Sequence, residues 1–239
     1  MPGDDGSVTI RAMFDRVAAR YDLINRVATF GMDGGWRETV ADLVAAPGAA
    51  TVLDVCSGTG ELTLAVSRKL EAGALVVGLD FSENMIRICR ERTSGRDRAI
   101  ALSQAGAAAM PIRDRSVDAA CSAFALRNLE PVMDPFLGEL LRVLKPGGRV
   151  VLLETGRPSL PLVRGLHKLY LSWVLPLEGR LLSGASGPYR YLSGSIQRFA
   201  EPEEYCARLS AAGFSAPSFR TLSMGIATIY TCSKPLGDR

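Results

Sequence analysis

Residues 51–66, TVLDVCSGTGELTLAV, read as an apolar strand, a turn holding Gly58 and Gly60, and an apolar restart as a helix. A strand-to-helix turn of this kind leaves backbone N–H groups bare, so it can hold a ligand close to the main chain. Three ligands compete for it. A triphosphate loop needs GxxxxGK[ST], and Ser57-Gly58-Thr59-Gly60-Glu61 carries no lysine. A dinucleotide turn needs GxGxxG, and Thr63 stands where the third glycine would allow close helix–strand packing. Asp54, expected to face outward at the strand's end, and Glu61, directly after the glycines, put negative charge where a pyrophosphate would lie. The same charges would receive an ammonium or a sulfonium. Asp80 ends the next strand, twenty residues after Gly60, and an acid there accepts hydrogen bonds from ribose hydroxyls. Glycine turn, ribose acid and no phosphate site together point to S-adenosylmethionine. The plain alternative is a structural turn with a coincidental aspartate.

The elements that must position these residues follow a regular order. Met13, Phe14, Val17, Tyr21, Ile24 and Val27 have helical spacing that Gly31 stops, and WRETVADLVAA is a second short helix ended by Pro47-Gly48. Residues 1–10 are expected to be disordered. ATVLDVC is a strand and GELTLAVSRKLEA a helix. ALVVGLDF is a strand, followed by the helix SENMIRICRERTSG with Ser82 as N-cap. AIALSQAG is a weaker strand and SVDAACSAFAL a stronger one. VMDPFLGELLRVLK is a helix closed by Pro146-Gly147-Gly148, and GRVVLLETGR is a strand. This alternation predicts a parallel twisted sheet with helices on both faces. A Leu- and aromatic-rich stretch broken by Pro and Gly, residues 157–198, reads as an insertion over the site. EPEEYCARLSAAGF is a helix capped by Gly213, and APSFRTLSMGIATIYTCSKP gives two strands at an antiparallel edge.

Composition removes several function classes. The chain has 239 residues and a net charge of +3, too mild to argue for nucleic acid. It has no run of apolar residues long enough to span a bilayer, and its acidic start does not read as a secretory signal. The five cysteines are scattered without a CxxC and the one histidine is His167, so no metal site is expected. Reduced thiols and a cytoplasmic location are expected.

The segments VLDVCSGTGELT, GLDFSENMI, FALRNL, RVLKPGGRVVLLE and YRYLSGSI follow one another behind the entry FDRVAARYDLINRVATFGMDGGWR. In this order they resemble the ubiquinone/menaquinone biosynthesis C-methyltransferases over roughly residues 13–235. The glycine turn and LKPGG are common to many methyltransferases. RYDLIN, LRN and YRYL are the more specific part. The resemblance implies a Rossmann-like S-adenosylmethionine-dependent methyltransferase fold: an α/β architecture with a mostly parallel seven-stranded sheet, an antiparallel edge and a helical lid. It divides the chain into an N-terminal helical cap, residues 1–46, and a methyltransferase domain, residues 47–239, with the lid at about 157–198. It implies S-adenosylmethionine as donor and a prenylated quinol as acceptor, methylated on a ring carbon in respiratory quinone biosynthesis. By motif match Asp54, Gly58, Thr59 and Gly60 would line the methionine end. Asp80 would hold the ribose, Met85 would lie near the adenine and Gly106-Ala107 would approach its rim, with Phe81 and Ala123 as further cofactor-binding residues. Gly106 stands where the family usually has an acid and Ala123 where it usually has serine. A methyltransferase for another small aromatic acceptor is the second reading.

Methyl transfer is a direct displacement that needs the nucleophile about 3 Å from the methyl and in line. A hydroquinone ring carbon becomes nucleophilic when the neighbouring hydroxyl ionises, and a free phenol does so only near a pKa of about 10. Some group must stabilise the oxyanion or take the proton. Arg127 and Asn128 follow the strand CSAFAL at the carboxyl edge of the sheet, where open α/β sheets bind ligands. Arg127 is expected to stabilise the oxyanion or polarise a water, Asn128 to orient the acceptor oxygen, and Tyr21 to hydrogen-bond the acceptor from the N-terminal helix. Residues 157–198 carry six Arg or Lys against one acid, together with Trp173 and Tyr170. That mixture suits a lid in peripheral contact with the inner face of a membrane. A homodimer contact through the same segment is the competing role.

Overall fold

The computed structural model describes residues 21–95, 99–156, 160–169 and 201–237, with Ala18 and Pro158. The first ten residues and most of the insertion at 157–198 lie outside the described residues.

The chain enters through α1 (Tyr21–Ala28) and α2 (Asp33–Val44). It then alternates: β1 (Thr51–Val55), α3 (Glu61–Lys69), β2 (Leu75–Asp80), α4 (Glu83–Thr93), β3 (Ala99–Gln104) and β4 (Val117–Ala123). A one-turn helix α5 (Leu126–Leu129) and a 3-10 turn lead into α6 (Met133–Val143) and β5 (Leu144–Thr155). After α7 (Pro161–Leu169) come α8 (Pro202–Ala211), β6 (Ser215–Leu222) and β7 (Ala227–Ser233). The seven strands lie in the order β3-β2-β1-β4-β5-β7-β6. Only β7 runs against its neighbours, pairing antiparallel with β5 and with β6. This is the parallel sheet expected from the alternation, with the antiparallel edge expected from the last two strands.

Period-two alternation along β1 builds both cores. Val52 faces a cluster made with Trp36, Val40 and Val44 of α2 and Leu62 and Val66 of α3. Leu53 and Val55 face the opposite cluster, with Phe136, Leu137 and Leu140 of α6 and Tyr205 and Leu209 of α8. Helix α2, within the stretch expected as the cap, thus buries Trp36, Val40, Ala41 and Val44 in the same layer as α3.

Two expected boundaries move. The strand expected to run through Leu126 ends at Ala123, because Phe124 turns the backbone left-handed at φ +61° while its N–H still bonds the Leu153 carbonyl at 2.8 Å. Arg127 and Asn128 therefore sit on α5. The strand expected from Gly148 begins at Leu144, which pairs with Val117. Lys145–Gly148 form an irregularity before pairing resumes at Ala119 and Arg149. Gly148 is required there, since a Cβ would lie 2.8 Å from the Lys145 carbonyl oxygen.

Candidate active site

The glycine turn forms at the carboxyl end of β1, beside the end of β2. Ser57 N–H donates to the Leu79 carbonyl at 2.9 Å, and Gly58 N–H donates to Asp80 Oδ2 at 2.9 Å. Asp80 Oδ1 accepts from Ser82 N–H, also at 2.9 Å. One buried carboxylate thereby clamps the turn to the start of α4. Ser82 caps that helix as expected, its hydroxyl accepting from Met85 N–H at 3.2 Å. Gly60, at φ +89°, opens α3, and a Cβ on it would meet Cys89 Sγ at 2.6 Å. Glycine is required here for backbone sign and for space alike.

Asp54 does not face outward. Its carboxylate turns into the α3 side of the sheet, 1% exposed, where the Thr63 hydroxyl donates to Oδ2 at 2.6 Å and the Cys121 thiol lies 4.0 Å from Oδ1. Thr63, expected to crowd the helix–strand packing, holds this carboxylate instead. Burial drives the Asp54 pKa up to about 7; the Thr63 bond opposes this, Asp80 adds to it and Arg37 opposes it. Burial likewise pushes the Cys56 and Cys121 thiols well above their ordinary range, so neither is a nucleophile at neutral pH.

Beside the turn lies an open cleft lined by Asp54, Ser57, Gly58, Thr59, Glu61, Ala123 and Arg37 among others. Four of the expected cofactor residues, Asp54, Gly58, Thr59 and Ala123, meet on its wall, while Gly60 and Asp80 shape the turn behind it. Phe81, Met85, Gly106 and Ala107 do not line this cleft. They lie past Asp80, where Ala105 N–H donates to the Asp80 carbonyl at 2.9 Å. Met85 and Ala107 are buried, Phe81 is half-buried and Gly106 is exposed.

The expected acceptor residues come from other elements. Arg127 is 5% exposed at its side chain and forms a buried ion pair with Glu154 at the end of β5. Glu154 also accepts from the Arg127 backbone N–H at 3.2 Å and from Thr155 N–H at 2.7 Å. Asn128 is half-buried on α5, next to Arg127. Tyr21 is the first residue of α1; its side chain lies outside the described part.

Several residues of the site were not among those expected. Arg37 forms a buried ion pair with Asp33, stacks 5.0 Å over the Phe124 ring and reaches the cleft. Glu154 anchors Arg127. Asp22 of α1 and Arg92 of α4 both touch the glycine turn. Glu154 had a visible signal, a carboxylate at the end of the apolar run VVLLE; the others depend on pairings between distant segments.

The sheet order and the glycine turn after β1 define a Rossmann-like methyltransferase fold. Solved structures agree at the level of fold. The [4+2]-cyclase SpnF matches with a TM-score of 0.69 at 19% identity, covering 95% of this chain and 96% of that one. Human N-acetylserotonin methyltransferase in complex with SAM matches at 0.65 and 16%, covering 98% of this chain and 60% of that one. The chain belongs to the ubiE/COQ5 methyltransferase family, whose model matches residues 4–234. It is 40% identical to a demethylmenaquinone methyltransferase of Thermus thermophilus, over 93% of this chain and 100% of that protein. It is 38% identical to the ubiquinone/menaquinone biosynthesis C-methyltransferase UbiE of Geobacter sulfurreducens, over 95% of this chain and 89% of that protein.

Proposed function

We propose that this protein transfers a methyl group from S-adenosylmethionine to a ring carbon of a prenylated quinol, the methylation step of respiratory quinone synthesis. The full-length likeness to the Thermus demethylmenaquinone methyltransferase supports the acceptor. Asp54 carries the cofactor reading. It is a buried carboxylate on the cleft wall, bonded by a hydroxyl and, among the described residues, by no ammonium or guanidinium. A cationic ligand is what such a group lacks.

The residues present fit that cofactor. Asp54, Gly58 and Thr59 would hold the methionine end, joined by Ser57, whose buried Oγ has no partner among the described residues. Asp80, fixed by the N–H groups of Gly58 and Ser82 at the end of β2, would face the ribose hydroxyls. Phe81, Met85, Gly106 and Ala107 would frame the adenine, and Ala123 would lie between cofactor and acceptor. When bound, the cofactor supplies an electrophilic methyl on a sulfonium.

The chain's own residues act on the acceptor. Among the described residues Arg127 bonds Glu154 and Thr155 through Nη1; its guanidinium would meet an acceptor oxygen and hold it as the phenolate. Glu154 fixes the guanidinium plane. Asn128 would orient the same oxygen, and Tyr21 would be the acceptor's hydrogen-bond partner from α1. A prenyl tail brings the acceptor from a membrane. The exposed Leu160, Leu162 and Leu169, in or next to α7, support a peripheral contact there through residues 157–198.

The test is methyl transfer from labelled S-adenosylmethionine to a short-chain demethylmenaquinol under reducing conditions. Wild type is run beside Arg127→Lys and the double variant Arg127→Gln/Glu154→Gln, which leaves no buried charge alone. Product from the wild type and a loss of at least about a hundredfold in both variants is the expected result. No product, with cofactor still bound by calorimetry, would move the acceptor to another small aromatic.

A further inference from the structure

Helix α1 is tied to the glycine turn by side chains from three elements. The Thr59 hydroxyl donates to Asp22 Oδ1 at 2.6 Å. Asp22 Oδ2 meets Arg92 Nη2 at 2.5 Å, and Arg92 Nη1 donates to Glu61 Oε1 at 2.8 Å. The same nitrogen lies 3.5 Å from the Thr59 carbonyl oxygen. One guanidinium at the end of α4 thus bridges a carboxylate of α1 and a carboxylate of α3. Without it, Asp22 and Glu61 would repel each other across the turn.

The inward face of α1 is unusual. Asp22, Asn25 and Thr29 lie one above another at helical spacing. Asn25 is 5% exposed, and its Nδ2 has no partner among the described residues. Thr29 donates to the Asn25 carbonyl at 2.8 Å and to Asp33 Oδ1 at 3.2 Å. A helix of 8 residues is too short to persist alone, so tertiary contacts must hold it. On this face those contacts are polar, and the tightest of them end on the cofactor turn.

We propose that Asp22 and Arg92 form a latch that positions α1 against the glycine turn, so that cofactor binding and the ordering of α1 are one event and the acceptor binds afterwards. The first part stands on the contacts alone; the coupling rests on the cofactor reading above. A ligand that steadies Thr59 and Glu61 must strengthen α1 docking by the factor by which docked α1 strengthens the ligand. Asp22 and Arg92 are positioning residues, since neither reaches the reacting atoms. Tyr21, next to Asp22, would be carried into place with α1.

The test is hydrogen–deuterium exchange on the full chain, comparing wild type with Asp22→Asn, Arg92→Gln, the double variant and Arg92→Lys. Calorimetry with S-adenosylmethionine is run beside it at low and high salt. Each single variant is expected to speed exchange of residues 21–28 about tenfold while α6 keeps its protection, which excludes general unfolding. The double variant should be no worse than either single, and Arg92→Lys should recover part of the protection. Cofactor affinity should fall about tenfold in the singles and lose its salt dependence, with acceptor KM rising more than kcat falls. Unchanged exchange at 21–28 in both singles overturns the latch, and so does a double variant whose effects add. Tight cofactor binding with wild-type affinity in both singles overturns the coupling. A wild type that binds no cofactor defeats the cofactor reading instead, and the exchange experiment, which needs none, still decides the latch.

Discussion

Asp54 makes cofactor affinity depend on pH in a direction that can be worked out. Its pKa is raised from 3.8 to about 7 by burial, against the Thr63 hydrogen bond, with Asp80 adding and Arg37 opposing. The empty folded protein holds a proton there that the unfolded chain gives up near pH 4. Folding stability from this site is therefore complete below pH 4 and is lost as pH rises to about 7, by roughly 4 kcal/mol at most. A ligand ammonium reverses the preference, because it binds the ionised carboxylate. The ionised fraction is about one half at pH 7 and about one in thirty at pH 5.5, so the cofactor Kd should rise about fifteenfold over that span. Calorimetry in two buffers of different ionisation enthalpy should find about half a proton released per cofactor bound at pH 7. Asp54→Asn should bind weakly, with a flat profile, and should be more stable than the empty wild type at pH 8. A wild-type Kd unchanged between pH 5.5 and 7, or the same slope in Asp54→Asn, would refute this reasoning.

Gly60→Ala combines a left-handed backbone with a Cβ 2.6 Å from Cys89 Sγ, so it should destabilise by about 2–3 kcal/mol, read as a lower urea midpoint. Adding Cys89→Ala should restore the steric part only. Arg127→Met takes the guanidinium from the Glu154 carboxyl, which is 0% exposed, and should cost about 3–5 kcal/mol; Arg127→Met with Glu154→Gln should regain most of that in the same denaturation assay. Ser82→Ala removes the cap on Met85 N–H and should cost about 1 kcal/mol, with faster amide exchange confined to the first turn of α4.

What could be read in advance was local. The glycine turn, the Asp80 spacing, the Ser82 cap and a glycine after α8, found at φ +102°, each depend on a few neighbouring residues. The mostly parallel sheet with helices on both faces followed from the alternating elements. The errors fall where distant strands decide. Leu144 joins β5 because it pairs with Val117, and no local feature of RVLKPGG announces that. The end of β4 was misplaced because Phe124 takes a left-handed conformation without a glycine or proline to mark it. Arg127 was legible as a residue at the sheet's carboxyl edge; its pairing with Glu154 joins α5 to the end of β5 and was not. Thr63 was read by its bulk, whereas its hydroxyl is what matters to Asp54.

The charges around the turn decide between the ligand classes more firmly than the glycine pattern does. Arg37 is already committed to Asp33, and Arg92 is shared between Asp22 and Glu61. Asp80 spends its carboxylate on backbone N–H groups. That leaves Asp54 at the cleft with hydroxyl and thiol neighbours, and Glu61 with half a guanidinium. A unit positive charge about 4 Å from the ionised carboxylate gains about 4 kcal/mol at the effective dielectric of a protein site, whereas an anion meets a carboxyl that keeps its proton and gains nothing from it. In the cofactor reading above, that difference is why an incomplete GxGxxG suffices. The third glycine serves close helix–strand packing beneath a pyrophosphate, and a cationic ligand held by Asp54, as proposed above, would have no use for it. Thr63 can then occupy the position, and its hydroxyl holds the carboxylate that the ligand needs.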